Sequence, residues 1–204
     1  MKKNDILALI AVAVSILVPA PGRLAYGIVL LLLLLLLSVL GTAFRFLIKK
    51  IKMDDLEPVL TAVMLVSVTV LYKQFLIMIS PLTALVLGFV IYLPALSAFV
   101  ITGMHRKTEE PLSAQIRSEF FHTGSFCLPA LGVFLLRDIV GYGTLTLPSY
   151  GGLAELTLIA PKDRNYLGTF FASAPGALII LAIATMCVSF AFRYHKSGEE
   201  SHAV

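Results

Sequence analysis

Charge is what this sequence has least of: Asp, Glu, Lys and Arg together make up 14% of its 204 residues. A soluble globular domain carries about a quarter, so an ordinary soluble enzyme is excluded. Disorder is excluded as well, because it needs low hydrophobicity and high charge, and here 58% of residues are apolar with a mean hydropathy of +0.93. Cysteine is nearly absent. Cys127 and Cys187 lie in apolar runs with no Cys, His or carboxylate at ligand spacing, so neither a zinc motif nor a paired-thiol motif can be written. They read as two small buried hydrophobes. Also missing are a basic stripe with interleaved aromatics, a nucleophile beside its base, and a phosphate-cradling glycine loop. No nucleic-acid partner and no catalytic residue is therefore expected.

What remains is an integral membrane protein. A spanning helix needs about 20 mostly apolar residues, and six stretches qualify: Asp5 to Val18, Ala25 to Ile48 with its leucine tract Leu30 to Leu37, Pro58 to Ile79, Leu82 to Met104, Phe120 to Val140, and Thr169 to Phe192. The polar connectors are Lys49 to Glu57, His105 to Glu119 and Gly141 to Gly168, and the chain reads as one integral membrane domain over 1–204. Cytoplasmic loops retain Lys and Arg. With six spans, one side holds Lys2, Lys3, Arg45, Lys49, Lys50, Lys52, Arg106, Lys107, Arg117, Arg193 and Lys196; the other holds Arg23, Arg137, Lys162 and Arg164. Both termini are thus expected in the cytoplasm. A competing reading makes the start a cleavable signal, from Lys2-Lys3, a short apolar run and Val18-Pro19-Ala20. Pro21 disfavours cleavage there, and removal would leave five spans that invert the charge rule.

Six spans divide into two inverted three-helix repeats, about 5–80 and 81–193. The first helix of each is interrupted alike: Ile16-Leu17-Val18-Pro19-Ala20 echoes Ile91-Tyr92-Leu93-Pro94-Ala95. Proline removes a backbone donor and clashes with the preceding turn, so the first and fourth helices are expected to break. Paired breaks in inverted repeats point to a midplane site, for which Pro19, Pro21 and Pro94 are the candidate path residues. Ordinary kinks are the alternative. Among charged groups within spans, Lys73 is expected to snorkel outward, and Glu119 and His122 open helix five near the cytoplasmic boundary. Arg137 and Asp138 close helix five. Adjacent helical residues project about 100° apart, so each is expected to anchor a different segment. Gly151-Gly152 signals a turn, Gly141 and Gly143 are candidate hinges able to adopt positive φ, and Ala174-Pro175-Gly176-Ala177 suits close helix packing.

The run Leu136-Arg137-Asp138-Ile139-Val140-Gly141-Tyr142-Gly143-Thr144-Leu145, followed about thirty residues later by Ala174-Pro175-Gly176-Ala177, resembles the signature of the Rnf/Nqr family of membrane subunits. That signature reads roughly L-R-E-x-x-G-x-G-T-L and then P-P-G-A-F, and the length and charge-implied orientation are similar to the RnfE/NqrD type. The resemblance covers the whole chain and is sharpest in its last third, at Arg137, Asp138, Gly141, Gly143, Thr144, Pro175 and Gly176. It implies a subunit of a bacterial inner-membrane complex that couples electron transfer to sodium or proton movement. It also implies a related six-helix partner of opposite orientation, with flavin or iron–sulfur centres on partner chains.

The family's cluster ligands are a Cys in a first-helix L-C-P motif and a Cys in the fourth helix. Here the matching positions hold Val18 and either Phe99 or Val100. Hydrocarbon side chains cannot ligate iron, so no cofactor bound by this chain alone is expected. Two readings follow: a divergent subunit that keeps the scaffold and an ion path, or a non-redox transporter or structural subunit on the same scaffold.

Overall fold

The structure, a computed structural model, describes residues 14–104, 111–150, 152–158, 166–183 and 185–186. Most of the expected first helix lies outside these residues, as does everything after 186. Residues 14–17 form a helical turn that ends as the chain reaches Pro19 and Pro21. From there α1 spans Leu24–Ile51, α2 Glu57–Ile79, α3 Pro81–Leu87, α4 Leu93–Met104 and α5 Leu112–Tyr142. A hairpin of β1 (Thr144–Ser149) and β2 (Gly152–Thr157) follows, then α6 (Tyr166–Ala172) and α7 (Ala174–Ile183).

The protein is mostly helical, and among the described residues three helices, α1, α2 and α5, are long and apolar enough to cross a membrane, at 28, 23 and 31 residues. The bent pair α3–α4 makes a fourth candidate. α1 and α2 run antiparallel. Tyr72 Oη, near the end of α2, donates to Val29 O near the start of α1 (3.2 Å), while Glu57 at the start of α2 pairs with Arg45 near the end of α1 (3.3 Å).

α1 is the central post. Within its most apolar window 67% of residues are buried, against 11% for α2. Leu30, Leu33, Leu34 and Leu37 lie on one face and are fully enclosed, whereas Leu32 and Leu36 point outward. Phe134 of α5 lies over Gly27, where a Cβ would stand 2.4 Å from its Cγ. α2 instead presents Val59, Val63, Val66, Val70 and Phe75 outward, an apolar face that water would not tolerate and hydrocarbon does.

The fourth expected span is broken, though not at its proline. Between α3 and α4 the axis turns by 82° through Gly88 and a 3-10 turn at Val90–Tyr92. Gly88 takes φ +49°, ψ −115°, a conformation that residues with a Cβ avoid. Pro94 is the second residue of α4, where its missing N–H costs nothing. The Gly141–Gly168 connector, expected to be a loop with a turn at Gly151-Gly152, instead contains the two-stranded sheet, with Ser149 paired to Gly152. The sixth expected span is interrupted at Ser173, whose N–H and hydroxyl both return to Phe170 O.

Candidate functional site

The start of a helix leaves backbone N–H groups without partners, and its end leaves carbonyls without them. Three such ends converge beside the last turn of α5. α1 begins after Arg23, whose side chain makes no cap. Its first two donors are satisfied in trans: Leu24 N–H donates to Asp138 Oδ2 (3.2 Å) and Ala25 N–H to Thr146 Oγ1 (3.2 Å). Asp138 is wholly buried and also accepts from Thr146 N–H (2.7 Å), Thr146 Oγ1 (2.6 Å) and Thr144 Oγ1 (3.0 Å). Both carboxylate oxygens are therefore occupied, and the negative charge faces the positive end of α1, the most buried of the long helices.

Arg137 serves the opposite kind of end. Its guanidinium donates through Nη1 to Leu17 O (2.6 Å), where the 14–17 turn stops, and through Nη2 to Ala172 O (2.8 Å), the last carbonyl of α6. It is 1% exposed, and its Nε makes no hydrogen bond. Room for it depends on Gly22, where a Cβ would stand 3.3 Å from Nε and 2.8 Å from Ala172 O. Arg137 and Asp138 thus anchor different segments, as expected from their positions around the helix. The cation holds two carbonyl ends and the anion one amide end.

The rest of the motif packs around this pair. Gly141 is inside α5 and abuts Ala172, whose Cβ would lie 2.7 Å from a Cβ added at Gly141. Here the position demands smallness rather than positive φ. Gly143 does take positive φ, +63°, and ends α5 by donating to Ile139 O (2.9 Å). Thr144 enters the site through its hydroxyl. Gly176 lies against α6, with only 2.2 Å between a Cβ placed there and Phe170 O. Pro175 is exposed and makes up part of the first turn of α7.

The segments that contain Pro19 and Pro94 meet elsewhere. Ser15, in the turn before Pro19, and Ser97, just beyond Pro94, are 2.9 Å apart through their hydroxyls. Pro94 is buried, Pro21 partly so, and Pro19 is exposed. Val18 and Phe99 pack against the apolar core, and Val100 points largely outward. Cys127 donates weakly to Leu31 O (3.9 Å) in α5, away from both breaks. The side chains at the family's ligand positions are hydrocarbon, so the site does not fit an iron–sulfur cluster held by this chain.

Four further contacts were missed in the sequence. Arg45 joins Glu57 and Thr102 O at the opposite end of the bundle. Arg23 pairs with Glu155 and lies over the Tyr142 ring, 5.1 Å from its centre. Lys73, expected to snorkel, sits 5.4 Å from the centre of the Tyr92 ring in the bent segment. Thr146 was visible only through its spacing, since Thr144 and Thr146 share one face of a strand. Compared with known proteins, the chain matches no family model and no curated sequence.

Proposed function

We propose that this chain is a membrane subunit of an Rnf/Nqr-type, ion-translocating electron transport complex, acting as scaffold and ion-path component rather than as cluster ligand. In this reading it has six spans in two inverted three-helix repeats, lies in a bacterial inner membrane, and keeps both termini and the Arg45–Glu57 end in the cytoplasm. A related six-helix subunit of opposite orientation packs against it, and redox centres reside on partners.

One observation carries the reading: Arg137, Asp138, Gly141, Thr144 and Gly176, scattered over the last third of the chain, serve one junction that fixes the start of α1, the end of α5, the hairpin and the α6–α7 joint. A motif retained for scaffolding should do this. The path is supported by the contact of Ser15 with Ser97, which joins the turn before Pro19 to the first turns of α4, beyond the bend at Gly88. The second reading, a non-redox transporter or structural subunit, is favoured by the hydrocarbon at Val18, Phe99 and Val100.

The experiment that separates them is purification of a tagged chain from native membranes in mild detergent, followed by mass spectrometry. Stoichiometric flavin- and iron–sulfur-bearing subunits are expected. Recovery of the chain alone, or with unrelated partners, overturns the complex in favour of the second reading.

A further inference from the structure

A hairpin in water turns its apolar face to the protein and its polar face out. Here the order is reversed. Because the strands pair Thr144 with Thr157 and Thr146 with Glu155, these four side chains share one face. Its β1 half turns toward the bundle, with Thr144 and Thr146 buried on Asp138, while on β2 the exposed Glu155 reaches Arg23 and Leu153 packs partly buried on the core. The other face carries Leu145, which packs partly buried against the core, and Leu147, Ala154 and Leu156, which are exposed. Leu147 is 50% and Leu156 60% exposed, Leu158 just beyond the strand is 53% exposed, and Tyr150 at the tip is 88% exposed.

The apolar face does not stand alone. Gly152 lies beside Leu82 of α3, where a Cβ would be 3.9 Å from Leu82 Cδ2, and Leu85 of α3 and Phe89 in the bend after it are 79% and 71% exposed. The exposed apolar residues of α3 therefore adjoin the hairpin. Depth is limited by the backbone. A two-stranded sheet leaves unpaired edge N–H and C=O groups, which hydrocarbon does not admit, whereas the headgroup region supplies water and suits tyrosine.

We propose that the β1–β2 hairpin is a membrane-interface anchor, its Leu147–Leu156 face resting on the boundary between headgroups and acyl chains of the leaflet at the Leu24 end of the bundle. The occupant of this face is lipid. The anchor holds the hairpin against α1, so that Thr146 and Thr144 stay on Asp138. This requires only that the helices span a bilayer and is independent of membership in an electron-transport complex.

The test uses a natural advantage: the chain contains no tryptophan. Leu156→Trp, with Leu147→Trp as a second variant should the first fail to fold, places one fluorophore on the face. The full-length chain is reconstituted at low protein-to-lipid ratio in phosphatidylcholine–phosphatidylglycerol vesicles. Lipids carrying a nitroxide near the headgroup or near the chain terminus quench it, as does aqueous iodide. We expect headgroup-proximal nitroxide to quench about threefold more than terminal nitroxide, with iodide giving under about half the quenching of a free indole, as for an indole at the interface. Strong iodide quenching with little lipid quenching overturns the proposal and puts the face in water. Protection from both quenchers also overturns it, and assigns the face to another protein surface, a second copy included.

Discussion

At the scale of single residues, the buried pair Arg137 and Asp138 is stable because each charge meets helix ends of opposite polarity rather than because the two pair with each other. Hydrogen bonds to a charged group contribute about 1.5–3 kcal/mol each, and an orphaned buried donor costs a similar amount. Asp138→Asn keeps the shape and puts an N–H₂ where a donor already points, so a loss of about 2–4 kcal/mol is expected, read as a lower unfolding midpoint in detergent. An Asp138→Asn and Thr146→Val double-mutant cycle should give a coupling of about 0.5–3 kcal/mol, since both groups hold the first turn of α1. Additive losses would mean the cap is not shared. Glycine gives a matched contrast. Gly141→Ala forces its Cβ into Ala172, while Gly132→Ala meets nothing within 4 Å. The first should destabilise by about 1–3 kcal/mol and the second be neutral or slightly stabilising, by the same measurement.

Among elements, the bent α3–α4 pair shows what a sequence can and cannot announce. Proline is easy to see, and Pro94 led to a break expected around residues 91–95; the structure places the turn at Gly88, since proline at the second position of a helix disturbs nothing. Gly88→Ala should therefore cost about 1–3 kcal/mol through its φ of +49°, and Pro94→Ala much less. A Ser15→Cys and Ser97→Cys pair, in a chain cleared of Cys127 and Cys187, should cross-link under mild oxidant, because the hydroxyls it replaces are 2.9 Å apart. Added Gly88→Ala should lower the yield. The long spans were legible because length and hydropathy suffice for them, and α1, α2 and α5 each contain an expected stretch, although α5 starts at Leu112 and takes 112–119 from the expected His105–Glu119 connector. The buried side of α1 was not legible, because a run of leucine looks the same on every face, and only Gly27 and Gly41 hint at where neighbours approach. The junction was legible as a list of residues but not as a set of bonds. Its partners are mostly backbone atoms, Leu17 O, Leu24 N and Ala172 O, which sequence does not mark.

For the whole molecule, polar side chains gather at two ends of an apolar bundle, Arg45–Glu57–Thr102 at one and Arg137–Asp138–Thr146 at the other. A bilayer across the middle predicts that single-cysteine variants at Met53 and Tyr150 react with a membrane-impermeant maleimide from opposite faces of sealed vesicles. Labelling of both from the same face would overturn the antiparallel arrangement as a transmembrane one. The junction also imposes an order in time. The amide of Leu24 is capped by a carboxylate 114 residues further along the chain, and the carbonyl of Leu17 by a guanidinium 120 residues later. At about 5–20 residues per second of synthesis, α1 therefore waits on the order of ten seconds with its leading end unsatisfied. The first helices of this protein enter the membrane as unfinished parts, and the bundle closes only when the end of α5 arrives.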